Sequence, residues 1–126
     1  MNAVVVGRSL SALAIVFLVF DTAIKLVQAP VVAQTLGSLG YPGDLGLTIG
    51  IVELVCLVLY AVPRTAVLGA ILLTALFGGG ISTHSRVGSP LFTHILFGVY
   101  LGLLVWGGLY LRSERLRELI PATRWA

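Results

Sequence analysis

The chain has 126 residues, 58% hydrophobic and only 10% charged, whereas a soluble globular domain carries about 25% charged residues. With a mean hydropathy of +1.05, that composition excludes an ordinary soluble domain and points to a membrane protein. The net charge of +3 gives no reason to expect nucleic acid as a partner, and the single cysteine, Cys56, excludes an internal disulfide or a C-x-x-C redox pair.

A helix needs about 20 mostly apolar residues to cross a bilayer. Four stretches fit, Ser9 to Ala29, Leu45 to Val62, Thr65 to Thr83, and Pro90 to Leu111. They leave little chain for anything else, so the expectation is one all-α domain over 1–126, an integral membrane four-helix bundle. The first run begins SLSALAIVFLVF and continues into FDTAIKL. An apolar core after the lone basic Arg8 also fits a secretory signal, but the run extends through Lys25 to Ala29 and further spans follow, so an uncleaved first helix is expected. Val31 to Tyr41 is the longest connection, polar only in part, and suits a short interfacial helix. Pro and Gly mark the joints at Ala29-Pro30, Gly40 to Asp44, Pro63-Arg64 and Gly88-Ser89-Pro90.

The tail RSERLREL is basic and amphipathic. It reads as a stop-transfer flank, the alternative being a segment lying on anionic headgroups. With four spans, Arg8, Arg64, Arg112, Arg115, Arg117 and Arg124 fall on one side, and Arg86 with Lys25 on the other. The positive-inside rule then places both termini in the cytoplasm.

At about 1.5 Å per residue, Asp21 lies about 18 Å and Lys25 about 24 Å into the first span, and Glu53 about 14 Å from the cytoplasmic end of the second. His84 closes the third span, Arg86 follows it, and His94 lies one turn into the fourth. Helical spacing puts Ala14, Asp21, Lys25 and Gln28 on one stripe. Glu53 shares a face with Gly46, Gly50, Cys56 and Tyr60. Ala66, Ala70, Thr74, Gly78, Ser82 and Arg86 form a small-residue ridge on the third span, and His94, Gly98 and Gly102 one on the fourth, either of which lets helices approach closely.

Intramembrane acids and bases pair inside a bundle or line a watered cavity. Asp21 and Lys25, at i and i+4, can pair on one helix. The bland reading is that this pair, with Glu53 satisfied by Arg86 or a histidine, only fixes helix register. The functional reading is a polar pocket of Asp21, Lys25, Glu53, His84, Arg86 and His94 that binds something, with Asp21 and Glu53 close enough to repel. A metal is not expected, because no closely spaced ligand pair is present. Cys56 suits packing better than nucleophilic attack. Gly78-Gly79-Gly80 has no phosphate-loop lysine after it and suits tight packing or a locally unwound turn.

The order YPGDLGLTIGIVELVCLVLYAVPRTAVLGAILLTALFGGGISTHSRVGSP, followed by LYLRSERLR, resembles the DoxX-like proteins, small bacterial four-helix membrane proteins. The resemblance covers nearly the whole chain. Its more specific parts are the Glu53 span leading to Val62-Pro63-Arg64-Thr65-Ala66, then Leu68-Gly69-Ala70, Gly78 to Arg86 with His84, and Leu109-Tyr110-Leu111-Arg112. Gly80 stands where Ala is as common, a departure touching helix geometry. The resemblance implies a bacterial inner-membrane location and an association with membrane redox systems, including a quinone-linked oxidoreductase. The chain itself has no haem-ligating histidine pair across two spans, flavin fingerprint or iron–sulfur cysteine set, so no intrinsic cofactor is expected.

The leading expectation is a non-enzymatic subunit that binds a quinone or another lipophilic molecule beside a redox enzyme. Glu53 and Asp21 would form the polar end of its pocket, His84 and His94 would donate hydrogen bonds, and Lys25 and Arg86 would form an anion-facing rim. The alternatives are a small homodimeric proton-coupled exporter, and a membrane enzyme acting on a lipid-like substrate through Glu53 and His84.

Overall fold

The structure is a computed structural model that describes residues 2–120; Arg124, counted above with the cytoplasmic flank, lies outside them. Among the described residues every regular element is helical. Helix α1 runs Ala3–Leu26 and starts six residues before the expected span, because the Asn2 side chain accepts a hydrogen bond from the Val4 amide at 2.9 Å and so caps the first turn. It stops where Gln28 adopts φ of 57° and Pro30 excludes a helical Ala29. Gln28 is therefore exposed and off the helix, not on the stripe of Asp21 and Lys25.

The helix expected between Val31 and Tyr41 forms as α2, Pro30–Ser38, with proline in its first turn, where a missing amide hydrogen costs nothing. Helix α3 is Leu45–Ala61 and α4 is Ala66–Arg86. Val62 between them is extended, as a residue before proline prefers, and the Thr65 hydroxyl donates to the Leu59 carbonyl at 2.7 Å. Gly88, with φ of 70°, turns the chain after α4. The fourth apolar stretch is not uniform: a π-helical turn at Leu91–Ile95 precedes α5, Phe97–Arg112. The tail forms a short α6, Glu114–Leu119, capped by Ser113 and anchored by buried Leu116.

Helices α1 and α4, and the continuous Leu91–Arg112 segment, are each long and apolar enough to cross a membrane. Helix α3 is equally apolar but has 17 residues, about 26 Å of rise. Helix α1 packs against α3 and α5, and α4 packs against the same two, which gives a four-cornered bundle of antiparallel neighbours.

One end of the bundle is packed backbone to backbone; at the other, α1 still meets α3 at Gly50 and α5 meets α4 at Gly98, but a cavity opens between these two pairs. At the tight end, a Cβ on Gly108 would lie 2.4 Å from the Ser11 Oγ, one on Gly7 2.7 Å from the Arg112 amide, and one on Gly69 2.3 Å from the Tyr60 amide. Only glycine lets these backbones meet. Tyr60, fully buried, donates to the Val105 carbonyl at 2.7 Å and receives the Ser11 hydroxyl at 2.9 Å, so one phenol joins α1, α3 and α5. The Arg112 guanidinium lies 5.3 Å from the centre of its ring.

The small-residue ridge of α4 packs only over its first turns. Ala66 and Ala70 are buried in the core with Leu73. Thr74 is exposed, donating to the Ala70 carbonyl and accepting from the Trp106 indole at 2.6 Å. Gly78, Gly79 and Gly80 are regular helix with open space where a Cβ would stand. They neither pack tightly nor unwind, because the face of α4 that α5 meets is that of Phe77 and Ile81. Gly98 does meet α4, at the Phe77 carbonyl and Ile81, whereas Gly102 meets nothing.

Candidate functional site: a cavity closed by an Asp–Lys–Glu triad

The less tightly packed end of the bundle holds an open-sided cavity of about 570 Å³. Its walls are mainly apolar, with Ile24, Ile49, Leu76, Phe77 and Leu101 from the long helices and Val32, Leu36 and Leu39 from α2. Glycines seat these walls. A Cβ on Gly46 would lie 2.6 Å from a Val32 methyl, and one on Gly50 2.8 Å from the Lys25 Cβ, so the missing side chains let α2 and the end of α1 close on α3.

The polar end is a triad. Lys25 Nζ donates to Asp21 Oδ2 at 2.5 Å, one turn back on α1, and to Glu53 Oε2 at 2.9 Å on α3. Glu53 is 1% exposed; the Asp21 side chain is one-third exposed. The two carboxylates thus share one ammonium, which offsets the repulsion expected between them. Glu53 is satisfied by Lys25, not by Arg86 or a histidine. Removing Lys25 would leave both carboxylates without their shared cation, typically at a cost of about 3–5 kcal/mol.

His84 and His94 also line the cavity, with ring centroids 5.4 Å apart in an edge-to-face arrangement. Each Nδ1 shares a hydrogen bond with a hydroxyl, Ser89 Oγ at 2.9 Å for His84 and Thr93 Oγ1 at 2.7 Å for His94. The π-helical turn carries His94, and such turns are frequent at functional sites. Tyr41 and Thr83, hydroxyl to hydroxyl at 3.2 Å, add a polar contact on the same wall.

Arg86 is not among the cavity residues. Its guanidinium donates to the Leu39 carbonyl at 2.7 Å, one of the carbonyls a helix end leaves without an intrahelical partner. Two residues past His84 on a helix, its side chain leaves from nearly the opposite face, so it ties α4 to the end of α2 instead of forming a rim. Among the described residues no group of three or more His, Cys, Asp or Glu side chains could hold a metal ion.

Sequence reasoning brought Asp21, Lys25, Glu53, His84 and His94 together, and the structure places all five on one cavity. It missed α2 as a wall, although Val32, Leu36 and Leu39 have the i, i+4, i+7 spacing of a buried face. It also missed Tyr41, the π-helical turn and a second cavity beyond Lys25.

No curated protein and no solved structure matches the chain. The model of the DoxX-like family does match, over residues 9–108, a stretch holding the four long helices almost entire together with the triad and both histidines, and the chain therefore belongs to the DoxX-like family.

Proposed function

We propose that this DoxX-like membrane protein is a non-enzymatic subunit that holds a small lipophilic molecule with a polar head, a quinone or one like it, for a membrane redox enzyme beside it. The observation that carries this reading is the pairing of apolar walls with one polar end in the cavity of about 570 Å³, the pattern of pockets that take small molecules. The ligand body lies along the Leu, Ile and Phe walls. Its polar head meets Lys25, Asp21 and Glu53, and the imidazoles of His84 and His94 on the same cavity offer further hydrogen bonds. The redox partner and the quinone come from the family resemblance. In this reading four spans cross a bacterial inner membrane with both termini cytoplasmic.

The test is purification from native membranes in gentle detergent, with mass spectrometry of extracted lipids and co-purifying proteins, for the wild type and for Glu53→Gln. A quinone or redox enzyme enriched with the wild type and depleted with the variant supports the reading. Equal recovery from both defeats it.

A second reading, a homodimeric proton-coupled exporter, draws on the exposed Gly78 of α4, which does not line the cavity and meets nothing within 4 Å, since small residues let a second helix approach. Substrate-dependent proton movement in liposomes is its requirement, and its absence across a broad panel of lipophilic cations removes it.

A further inference from the structure

Beyond the triad lies a second, smaller cavity of about 220 Å³, lined by Lys25, Gln28, Ala29, Val32, Ala33, Gly43, Asp44, Gly46 and Leu47. Lys25 and the Val32–Gly46 contact border both cavities, whereas Asp21 and Glu53 border the large one alone. Lys25 is thus the only member of the triad that reaches the small cavity.

The two spaces differ in chemistry. Gln28, Ala33, Gly43 and Asp44 are exposed, so the small cavity lies at the protein surface where α1 turns into α2. Gln28, Asp44 and Lys25 supply it with polar partners. A water occupies about 30 Å³ of liquid and needs two to four such partners, so several fit. An ammonium has three hydrogens to donate, and Lys25 gives two of them, to Asp21 and Glu53. The third has no protein acceptor among the described residues.

We propose that the small cavity is a water-filled vestibule connecting Lys25, and through it Asp21 and Glu53, to solvent at the α1–α2 end of the bundle, so that protons reach the triad by a route separate from the ligand cavity. The charged and titratable groups around Lys25 are Asp21 on its own helix, Glu53 from α3, Asp44 across the small cavity, and His84 and His94 across the large one. A carboxylate that gains a proton takes it from Lys25 Nζ as Nζ takes one from a hydronium of the vestibule: one N–H bond breaks while another N–H bond and the carboxyl O–H bond form, the hydronium becomes water, and the ammonium is never neutral. Glu53 has no surface of its own, and Asp21, though one-third exposed, borders only the large cavity, which an apolar molecule keeps dry, so the Lys25 side is the wet one.

This inference rests on the ligand reading only in taking the large cavity to be filled by something apolar. It is tested without the native ligand. The protein in lipid nanodiscs, with a long-chain alkane added to occupy the large cavity, is transferred to D₂O, and exchange of the triad hydrogens is followed by infrared spectroscopy, with Glu53→Gln and Asp21→Asn assigning the carboxyl bands.

Ala33→Leu fills the small cavity from the exposed side of α2. Gly80→Leu, where a Cβ meets nothing within 4 Å, fills the large one. The expected result is exchange slowed at least tenfold by Ala33→Leu and within twofold of wild type in Gly80→Leu. Unchanged exchange in Ala33→Leu, or equal slowing by both, overturns the proposal. Should Ala33→Leu not fold, Ala33→Cys in a Cys56→Ala background is plugged after folding with a small methanethiosulfonate and read in the same way. A vestibule supported here alongside equal quinone recovery from Glu53→Gln would leave the proton route standing and the ligand reading fallen.

Discussion

Lys25 is the residue on which most of the electrostatics turns. It serves two carboxylates, one of them almost wholly buried, and its loss strands both in a low-dielectric setting. Lys25→Met is expected to destabilise the fold by about 3–5 kcal/mol. Adding Glu53→Gln should restore part of that loss, because the stranded charge is then gone. A double-mutant cycle by denaturant titration in micelles measures the coupling, and strict additivity would show that the pair does not interact. Tyr60 is the other residue whose polar atom matters, since its hydroxyl joins three helices. Tyr60→Phe leaves the Val105 carbonyl and the Ser11 hydroxyl without their partner, and a loss of about 1–3 kcal/mol is expected on unfolding.

At the scale of the element, glycine has opposite meanings along the same bundle. Gly108 on α5 is where α1 crosses, and a Cβ there would lie 2.7 Å from the Ser11 amide nitrogen, backbone that cannot swing aside. Gly108→Ala is therefore expected to destabilise by about 1–3 kcal/mol, the usual range for overpacking, despite alanine's helix propensity. Gly78 on α4 meets nothing within 4 Å, so Gly78→Ala should stabilise by about 0.5–1 kcal/mol through propensity alone. Parallel unfolding curves for the two variants check the sign of each. The ridge from Ala66 to Arg86, regular in sequence, likewise packs only over its first turns.

For the molecule as a whole, the space between two helix pairs is what makes a site. Close contacts around Gly7, Gly69 and Gly108 hold one end of the bundle, and at the other the α1–α3 and α4–α5 pairs leave room between them that α2 covers but does not fill. Gly80→Leu should lower uptake of an apolar fluorescent probe at least tenfold while leaving the unfolding midpoint within a few degrees, because the added side chain occupies cavity and displaces no backbone. Unaltered uptake would mean that the probe binds elsewhere.

Much of this molecule was legible in the order of its residues. Apolar runs, prolines and glycines act over a few residues, so the membrane class, the joints and the existence of each long helix followed from the chain alone. The 3.6-residue period likewise put Glu53 on the face of Gly46, Gly50 and Tyr60 and Asp21 beside Lys25. Local capping was harder to read, and Asn2 extended α1 where apolarity had suggested a start at Ser9. Helical spacing gives the direction of a side chain on its own helix but not how far away the next helix stands. Tertiary structure alone decided that Lys25 answers Glu53, that Arg86 turns to the Leu39 carbonyl and that Gly78 to Gly80 face open space. Each of these depends on the separation of helices, which their close contacts set.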